Sequence, residues 1–229
     1  MSDVDLNCEI DCEDLTSDEI NFKVKELIFN NSRNIILKNT FDRHRLLNGL
    51  KGDVKIEILS SVGDEFACNL NGPRVIVIGN LGNYSLSEIK QGKVVVFGNS
   101  GNHFGIYSKS CQLYVYENCG TDSFSGLDQS SFCVAGGLIG NNCGNDGGTI
   151  VVLNLKGGTF FLENSFFSPD FKGVIYFRGN IKSANTGINL EKTTERDEDI
   201  LLPLISEFSR LFKFSLSEIK SKDFFKVIK

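Results

Sequence analysis

Hydrophobic residues along this chain recur in short blocks at a constant interval. Val54-Lys55-Ile56-Glu57-Ile58 is followed by Gly63, Val75-Ile76-Val77-Ile78 by Gly82, Val94-Val95-Val96-Phe97 by Gly101, and Leu113-Tyr114-Val115-Tyr116 by Gly120. These glycines are 19 residues apart, and a looser fifth copy ends 20 residues on, at Gly140. Asn80, Asn99 and Asn118 keep the same 19-residue step. A fixed period near 20 marks a solenoid. Each unit has room for a strand and a glycine turn but not for a helix. The pattern therefore predicts an all-β solenoid of the parallel β-helix kind.

The repeats fill residues 41–185, on the order of seven turns at about 20 residues each. Gly52, Gly72 and Gly92 recur ahead of their strands and read as corners. Repeated turns with positive φ favour glycine, which has no Cβ. Later strands are expected at Thr149–Leu153, Thr159–Leu162 and Val174–Phe177. Residues 1–40 read as a loose acidic tail (Asp3, Asp5, Glu9, Asp11, Glu13, Asp14), a capping helix and a strand at Ile35-Ile36-Leu37. The helix begins at the T-x-x-E box Thr16-Ser17-Asp18-Glu19. Ile20, Val24, Leu27 and Ile28 share one stripe of it, and Asn30-Asn31-Ser32 stops it.

Residues 186–229 read as a helical segment. Over 195–212, Ile200, Leu201, Leu204, Ile205, Phe208, Leu211 and Phe212 fall on one face. Pro203 predicts a start near 199 or a kink. Ser215-Leu216-Ser217-Glu218 is a second capping box, expected to open a last short helix with Phe224, Phe225 and Ile228. Helical segments at both ends suit a solenoid, whose terminal turns otherwise expose unpaired strand edges.

Two features of the repeats bear on function. Asn80, Asn99 and Asn118 must lie over one another; they form either an amide ladder or a column of left-handed turns, which Asn tolerates. The strands also depart from simple alternation. Val54–Ile58 alternates apolar with polar, but Val75–Ile78, Val94–Phe97 and Ile150–Leu153 are apolar at successive positions. Such strands are buried on both faces, so one face must meet a terminal helix or another subunit. Two helices cover only part of a wall of about seven turns. The expectation is a multisubunit complex contacted through this wall, with Ile76 and Val95 pointing outward and replaceable by Asp without unfolding the solenoid.

Composition narrows the possibilities. The net charge of −5 and the lack of a Lys/Arg cluster argue against a nucleic-acid partner. The longest apolar runs are four or five residues, too short to span a bilayer. The acidic start lacks the regions of a signal peptide, and seven cysteines without a CxxC pair then read as reduced thiols in the cytoplasm.

Candidate chemistry is sparse. The sequence contains no G-x-S-x-G elbow and no G-x-x-x-x-G-K-[ST] loop. Gly136-Gly137 and Gly147-Gly148 read as turns. His44, in Arg43-His44-Arg45, and His103 have no neighbouring ligand partner. Cys8 and Cys12 are four apart, as metal ligands or as two thiols in a mobile tail. Cys111, Cys119, Cys133 and Cys143 either converge on a solenoid corner for a cluster or redox step, or fill the core as small hydrophobes. Their spacings of 8, 14 and 10 fit no cluster motif. No catalytic, cofactor-binding or metal residue is assigned.

Residues 71–83 carry a family resemblance. Asn71-Gly72-Pro73-Arg74-Val75-Ile76-Val77-Ile78-Gly79-Asn80 with Gly82-Asn83 resembles a rung of the glutamate synthase β-helix, the GXGXG domain family, and Gly92 to Asn102 repeats it. The opening helix, Asn48-Gly49-Leu50 and the closing Phe208 to Lys213 with Phe224-Phe225 resemble the stand-alone form of that domain, so the likeness covers residues 20–229. Tyr84-Ser85-Leu86 and Lys109-Ser110-Cys111 stand where the family has small residues. The resemblance implies a right-handed β-helix that is non-catalytic and holds other subunits together. A cysteine amidotransferase and an FMN and iron–sulfur synthase subunit would be its partners and would carry the cofactors; the Met1-Ser2 start is not that of an N-terminal cysteine amidotransferase. Related β-helices serve in N-methylglutamate synthase and as the β-helix component of formylmethanofuran dehydrogenase, the alternative assignments.

Overall fold

A computed structural model describes residues 7–144, 146–163, 166–167, 171–183 and 189–228. It is a parallel β-solenoid of about seven turns with helices at its ends. Strands β1 (Asn7–Asp11), β2 (Asn34–Lys38), β3 (Lys55–Ile58), β4 (Asn71–Val77), β5 (Gln91–Val96), β6 (Cys111–Val115), β7 (Phe132–Ala135) and β8 (Thr149–Val152) stack in that order. β9 (Phe160–Leu162) pairs with β11 (Ile181–Ser183) in a separate two-stranded sheet, and β10 (Val174–Arg178) continues the main wall after β8.

Strand register sorts the side chains into columns. Ile35, Ile56, Val75, Val94, Leu113, Cys133, Ile150 and Ile175 form one inward column, and Leu37, Ile58, Val77, Val96, Val115, Ala135, Val152 and Phe177 a second. All of them are buried in one core. Burying each such aliphatic side chain contributes about 1.5–3 kcal/mol. The residues between them form the outward column Glu9, Ile36, Glu57, Ile76, Val95, Tyr114, Val134, Val151 and Tyr176. It changes from partly charged to wholly apolar at Ile76.

Gly63, Gly82, Gly101 and Gly120 align along the axis, as their spacing predicts. The reason for glycine is not a positive φ. A Cβ on Gly82 would lie 2.5 Å from the Gly63 carbonyl carbon, and one on Gly120 2.5 Å from that of Gly101. Successive turns touch backbone to backbone here. The left-handed positions lie elsewhere. Gly52 and Gly72 are left-handed, at φ +104 and +111. In each of five turns three further residues at a two-residue step have positive φ: Arg45, Leu47, Gly49; Glu65, Ala67, Asn69; Tyr84, Leu86, Glu88; His103, Gly105, Tyr107; Asp122, Phe124, Gly126. In the turn of Tyr84, the outer two donate N–H to the next turn (Tyr84 to Asn102 O, Glu88 to Ile106 O) and the middle one to the previous turn (Leu86 to Phe66 O), so the corner is hydrogen-bonded along the axis without being a strand. Tyr84-Ser85-Leu86, which breaks the small-residue pattern of the resemblance, adopts this backbone without glycine.

The ends differ from expectation in three places. Residues 7–11 are not a loose tail but strand β1, paired in parallel with β2; Ile10 enters the core while Glu9 pairs with Lys38 and Asp11 accepts from Asn39. The acids alternate with core residues, so the segment is a strand with a charged outer face. Asp3 and Asp5 lie outside the described residues. Helix α1 (Ser17–Phe29) follows with the predicted Thr16–Glu19 capping box and buries Ile20 and Val24 in the solenoid core. At the other end, α2 (Glu195–Phe212) starts at Glu195 rather than 199, because Thr194 and Asp197 form a capping box, and it runs through Pro203. α3 (Leu216–Lys220) is short, and Phe224 and Phe225 belong to strand β13 (Phe224–Ile228) instead of a helix. β13 pairs antiparallel with β10 and with β12 (Asn189–Lys192), ending the parallel stack. The β-prone Phe-Phe-Lys-Val-Ile run finds an open edge there, which overrides the helix.

Candidate functional site

Two side-chain ladders run along the corners. Asn99 Nδ2 donates to Asn80 Oδ1 at 3.1 Å and Asn118 Nδ2 to Asn99 Oδ1 at 3.2 Å. None of the three has positive φ, so the amide ladder, not a left-handed turn, accounts for the Asn period. A second ladder has no single residue type: Asp64 N–H donates to His44 Nδ1 (2.9 Å), Asn83 N–H to Asp64 Oδ1 (2.7 Å), Asn102 N–H to Asn83 Oδ1 (2.9 Å) and Thr121 N–H to Asn102 Oδ1 (3.0 Å). His44 is the foot of this column. His103 stacks on Tyr84, rings 4.3 Å apart and 8° from parallel. Both histidines are thus tied into axial contacts.

The thiols are also internal. Cys12, Cys111, Cys119, Cys133 and Cys143 are buried, and Cys8 and Cys68 half-buried. Cys12 lies beyond β1 in the core and Cys8 within β1, with its sulfur 3.3 Å from Ser32 Oγ, so neither sits in a mobile tail. Cys133 contacts Cys119 and lies near Cys111 and Cys143. The four therefore converge inside the core rather than at an exposed corner. Burial pushes the Cys111 thiol up to about 11, and those of Cys133 and Cys143 higher. Among the described residues no group of three or more His, Cys, Asp or Glu could hold a metal ion.

The apolar outer wall is covered by the chain's own C-terminal segment. Val95, Tyr114, Val134, Val151 and Tyr176 pack with Leu201, Ile205 and Phe208 of α2, Ile219 of α3 and Phe224 of β13. Val95 is 2% exposed. It points outward as expected, but it lies beneath a helix, so an Asp there would be buried and would not leave the fold intact. Of the two covers expected for strands 94–97 and 150–153, a terminal helix or another subunit, the terminal helix is the one that meets Val95 and Val151.

Polar clamps hold the helices down. Asp197, 5% exposed, accepts from Tyr176 Oη at 2.8 Å, Lys226 Nζ at 3.0 Å and the Thr194 N–H and hydroxyl. Burial alone would raise its carboxyl, but these donors outweigh it and hold the group well below the carboxylate range. Glu207 pairs with Arg210 and with Lys93 of β5, contacts that lower it to about 2, and Lys93 also lies over the Tyr114 ring at 5.1 Å. The buried Arg178 guanidinium donates to the carbonyls of Ile219, Glu218 and Leu153, tying α3 to the wall.

α2 ends before the wall does. Phe212 meets Phe97 edge-on at 4.9 Å, and beyond it the outer face lies open. Leu59, Ile78 and Phe97 are 42%, 49% and 39% exposed. Their amides donate to Leu37 O, Ile58 O and Val77 O, one turn apart, so they stack as a column. Ile36 and Ile76 lie half-buried beside them. A groove of about 170 Å³ lies between α2 and β13; Lys192, Lys220 and Lys222 there are opposed by Glu198 and Asp223, so it favours neither sign of ligand. The chain matches no family model, curated protein or solved structure.

Proposed function

We propose that this chain is a non-catalytic scaffold subunit of a glutamate-synthase-like complex, in which an amidotransferase subunit and an FMN and iron–sulfur subunit carry the chemistry. The resemblance of Asn71–Asn83 and Gly92–Asn102 to glutamate synthase rungs supports the choice of complex. The observation that carries the scaffold reading is the exposed column Leu59, Ile78 and Phe97, in register on a wall braced by ladders and a core. Contiguous exposed apolar surface marks interaction sites, and a rigid wall presents it without an ordering cost. N-methylglutamate synthase and formylmethanofuran dehydrogenase complexes are the alternative homes for the same scaffold.

A cysteine-based redox role is less well supported. The thiolate is the reactive form, and burial pushes Cys111, Cys133 and Cys143 away from it. The cytoplasm suits seven reduced cysteines, and no helix among the described residues is long and apolar enough to cross a membrane. Purification of the tagged full chain from its native host tests the reading. Amidotransferase and flavin or iron–sulfur subunits at fixed stoichiometry are expected; a companion-free monomer contradicts it.

A further inference from the structure

One turn below α2, the wall repeats the seat that holds the helix's last turn. In the occupied seat Lys93 pairs with Glu207, Val95 is buried under the helix, and Phe97 packs on Phe212. Strand register sets Arg74 against Lys93 and Ile76 against Val95, and Ile78 stacks against Phe97. The lower seat therefore has the same three parts: a cation, a β-branched floor and an apolar shelf. Arg74 is exposed, and its side chain has no hydrogen-bond or ion-pair partner among the described residues. Ile76 is half-buried at the edge of the cluster between the wall and α2, and Ile78 is 49% exposed.

The geometry selects the occupant. Backbone N–H and C=O groups of β3, β4 and β5 are spent on neighbouring turns, so a strand cannot be added here and only the face is open. A face of this kind takes the apolar stripe of a helix, as the same wall does with α2. That helix runs down the wall from Tyr176 on β10 to Lys93 on β5 and ends at Phe212, leaving β4, β3, β2 and β1 ahead of it. Those four strands span about 14 Å, roughly two and a half helical turns.

Building on the scaffold reading, we infer that Arg74, Ile76, Ile78 and Leu59 dock an amphipathic helix of a partner protein. That helix lies in line with the C-terminal end of α2, with an acidic residue on Arg74 and an apolar stripe on Ile76 and Ile78. Arg74, whose neighbour Lys55 on β3 is already paired with Glu57, gives the site its preference for acid, and the aliphatic shelf gives it area.

A fluorescent peptide of residues 204–214, short enough for the open strands and carrying the Glu207 and Phe212 pattern, is the probe, titrated against the full-length chain. Binding is expected, weakened by about tenfold or more in Arg74→Glu and Ile78→Asp proteins, or with a Glu207→Lys peptide. The Glu207→Lys peptide should regain affinity for the Arg74→Glu protein. Both protein variants alter exposed residues, and unchanged thermal melts show that they fold. No binding up to about 1 mM, or binding indifferent to Arg74 and Ile78, overturns the proposal. So does a dimer of the wild-type chain that Ile78→Asp dissociates, since the occupant is then a second copy. Native-host purification separates the two claims. If wild-type and Arg74→Glu chains retain the same companions, the scaffold stands and this seat falls. If the wild type binds the peptide but has no companions, the seat stands and the scaffold reading falls.

Discussion

Asn99 donates its Nδ2–H to Asn80 Oδ1 at 3.1 Å, and its backbone N–H reaches the same oxygen at 2.8 Å. Asn118 makes both contacts to Asn99, and the Leu138 N–H closes the ladder by donating to Asn118 Oδ1 at 2.8 Å. Each amide thus satisfies backbone where the strand has just ended. Asn99→Ala removes three side-chain hydrogen bonds and is expected to lower stability by about 1.5–4.5 kcal/mol, at about 0.5–1.5 kcal/mol per bond lost. Asn99→Asp keeps the acceptor and should cost less. Urea midpoints of the two variants check this; equal losses would deny the ladder its role.

Glycine serves two purposes here, and they separate by substitution. Gly49 is left-handed at φ +67 with nothing within 4 Å of an added Cβ, so Gly49→Ala should cost about 1–2 kcal/mol of backbone strain. Gly82 has an ordinary backbone, but its Cβ would meet Gly63 and Asp64 backbone at 2.5 Å. Gly82→Ala must push two turns apart and should cost about 3 kcal/mol or more, the upper range of overpacking. Thermal melts that rank Gly49→Ala as the worse variant would refute this division.

The two outward positions on neighbouring strands should respond oppositely to charge. Val95→Asp buries a carboxylate between the wall and α2, where no partner awaits it, and is expected to release α2 or unfold the chain. Ile78→Asp faces solvent and should change stability by less than about 0.5 kcal/mol. Circular dichroism melts of both report the difference, and a tolerated Val95→Asp would show that α2 does not cover the wall.

Acid should loosen α2 first. The Glu207 carboxyl titrates near 2 in the folded chain, lowered by Arg210 and Lys93, against about 4.3 when unfolded. A lowered folded value means that the stabilisation is complete above the unfolded value and is lost as pH falls through the folded one. Asp197 acts in the same direction. The melting temperature should therefore drop between about pH 4.5 and 2, and Glu207→Gln should flatten that drop while lowering the value at neutral pH. A wild-type curve no steeper than that of Glu207→Gln would contradict the clamp.

Much of this architecture was legible in the residues. The 19-residue step of Gly63, Gly82, Gly101 and Gly120 predicts their axial alignment, and the unbroken apolar run Val94–Phe97 predicts cover on a second face. What escaped had physical reasons. Glu9 and Asp11 disguise β1, because their charges sit on its solvent face while Ile10 alone marks the core. Ser215 caps its helix by accepting the Glu218 N–H, but the helix stops at Lys220 once Phe224 and Phe225 find the open edge of β10. The left-handed corners are hidden by Tyr84, Leu86 and Glu88, which adopt φ near +60 without being glycine. The second ladder mixes Asp64, Asn83, Asn102 and Thr121, and only the Asn83–Asn102 step of 19 betrays it. The open seat at Arg74 and Ile78 depends on where α2 ends, which no local pattern shows.

The scaffold account rests on the outer wall being occupied in the working assembly. Hydroxyl-radical footprinting of Leu59, Ile76 and Ile78, in the particle purified from the native host and in the isolated chain, tests this most directly. Strong protection of these side chains in the particle, with Tyr107 on an unrelated corner labelled equally in both, is the predicted result. Equal labelling of Leu59, Ile76 and Ile78 in the two samples would contradict the account.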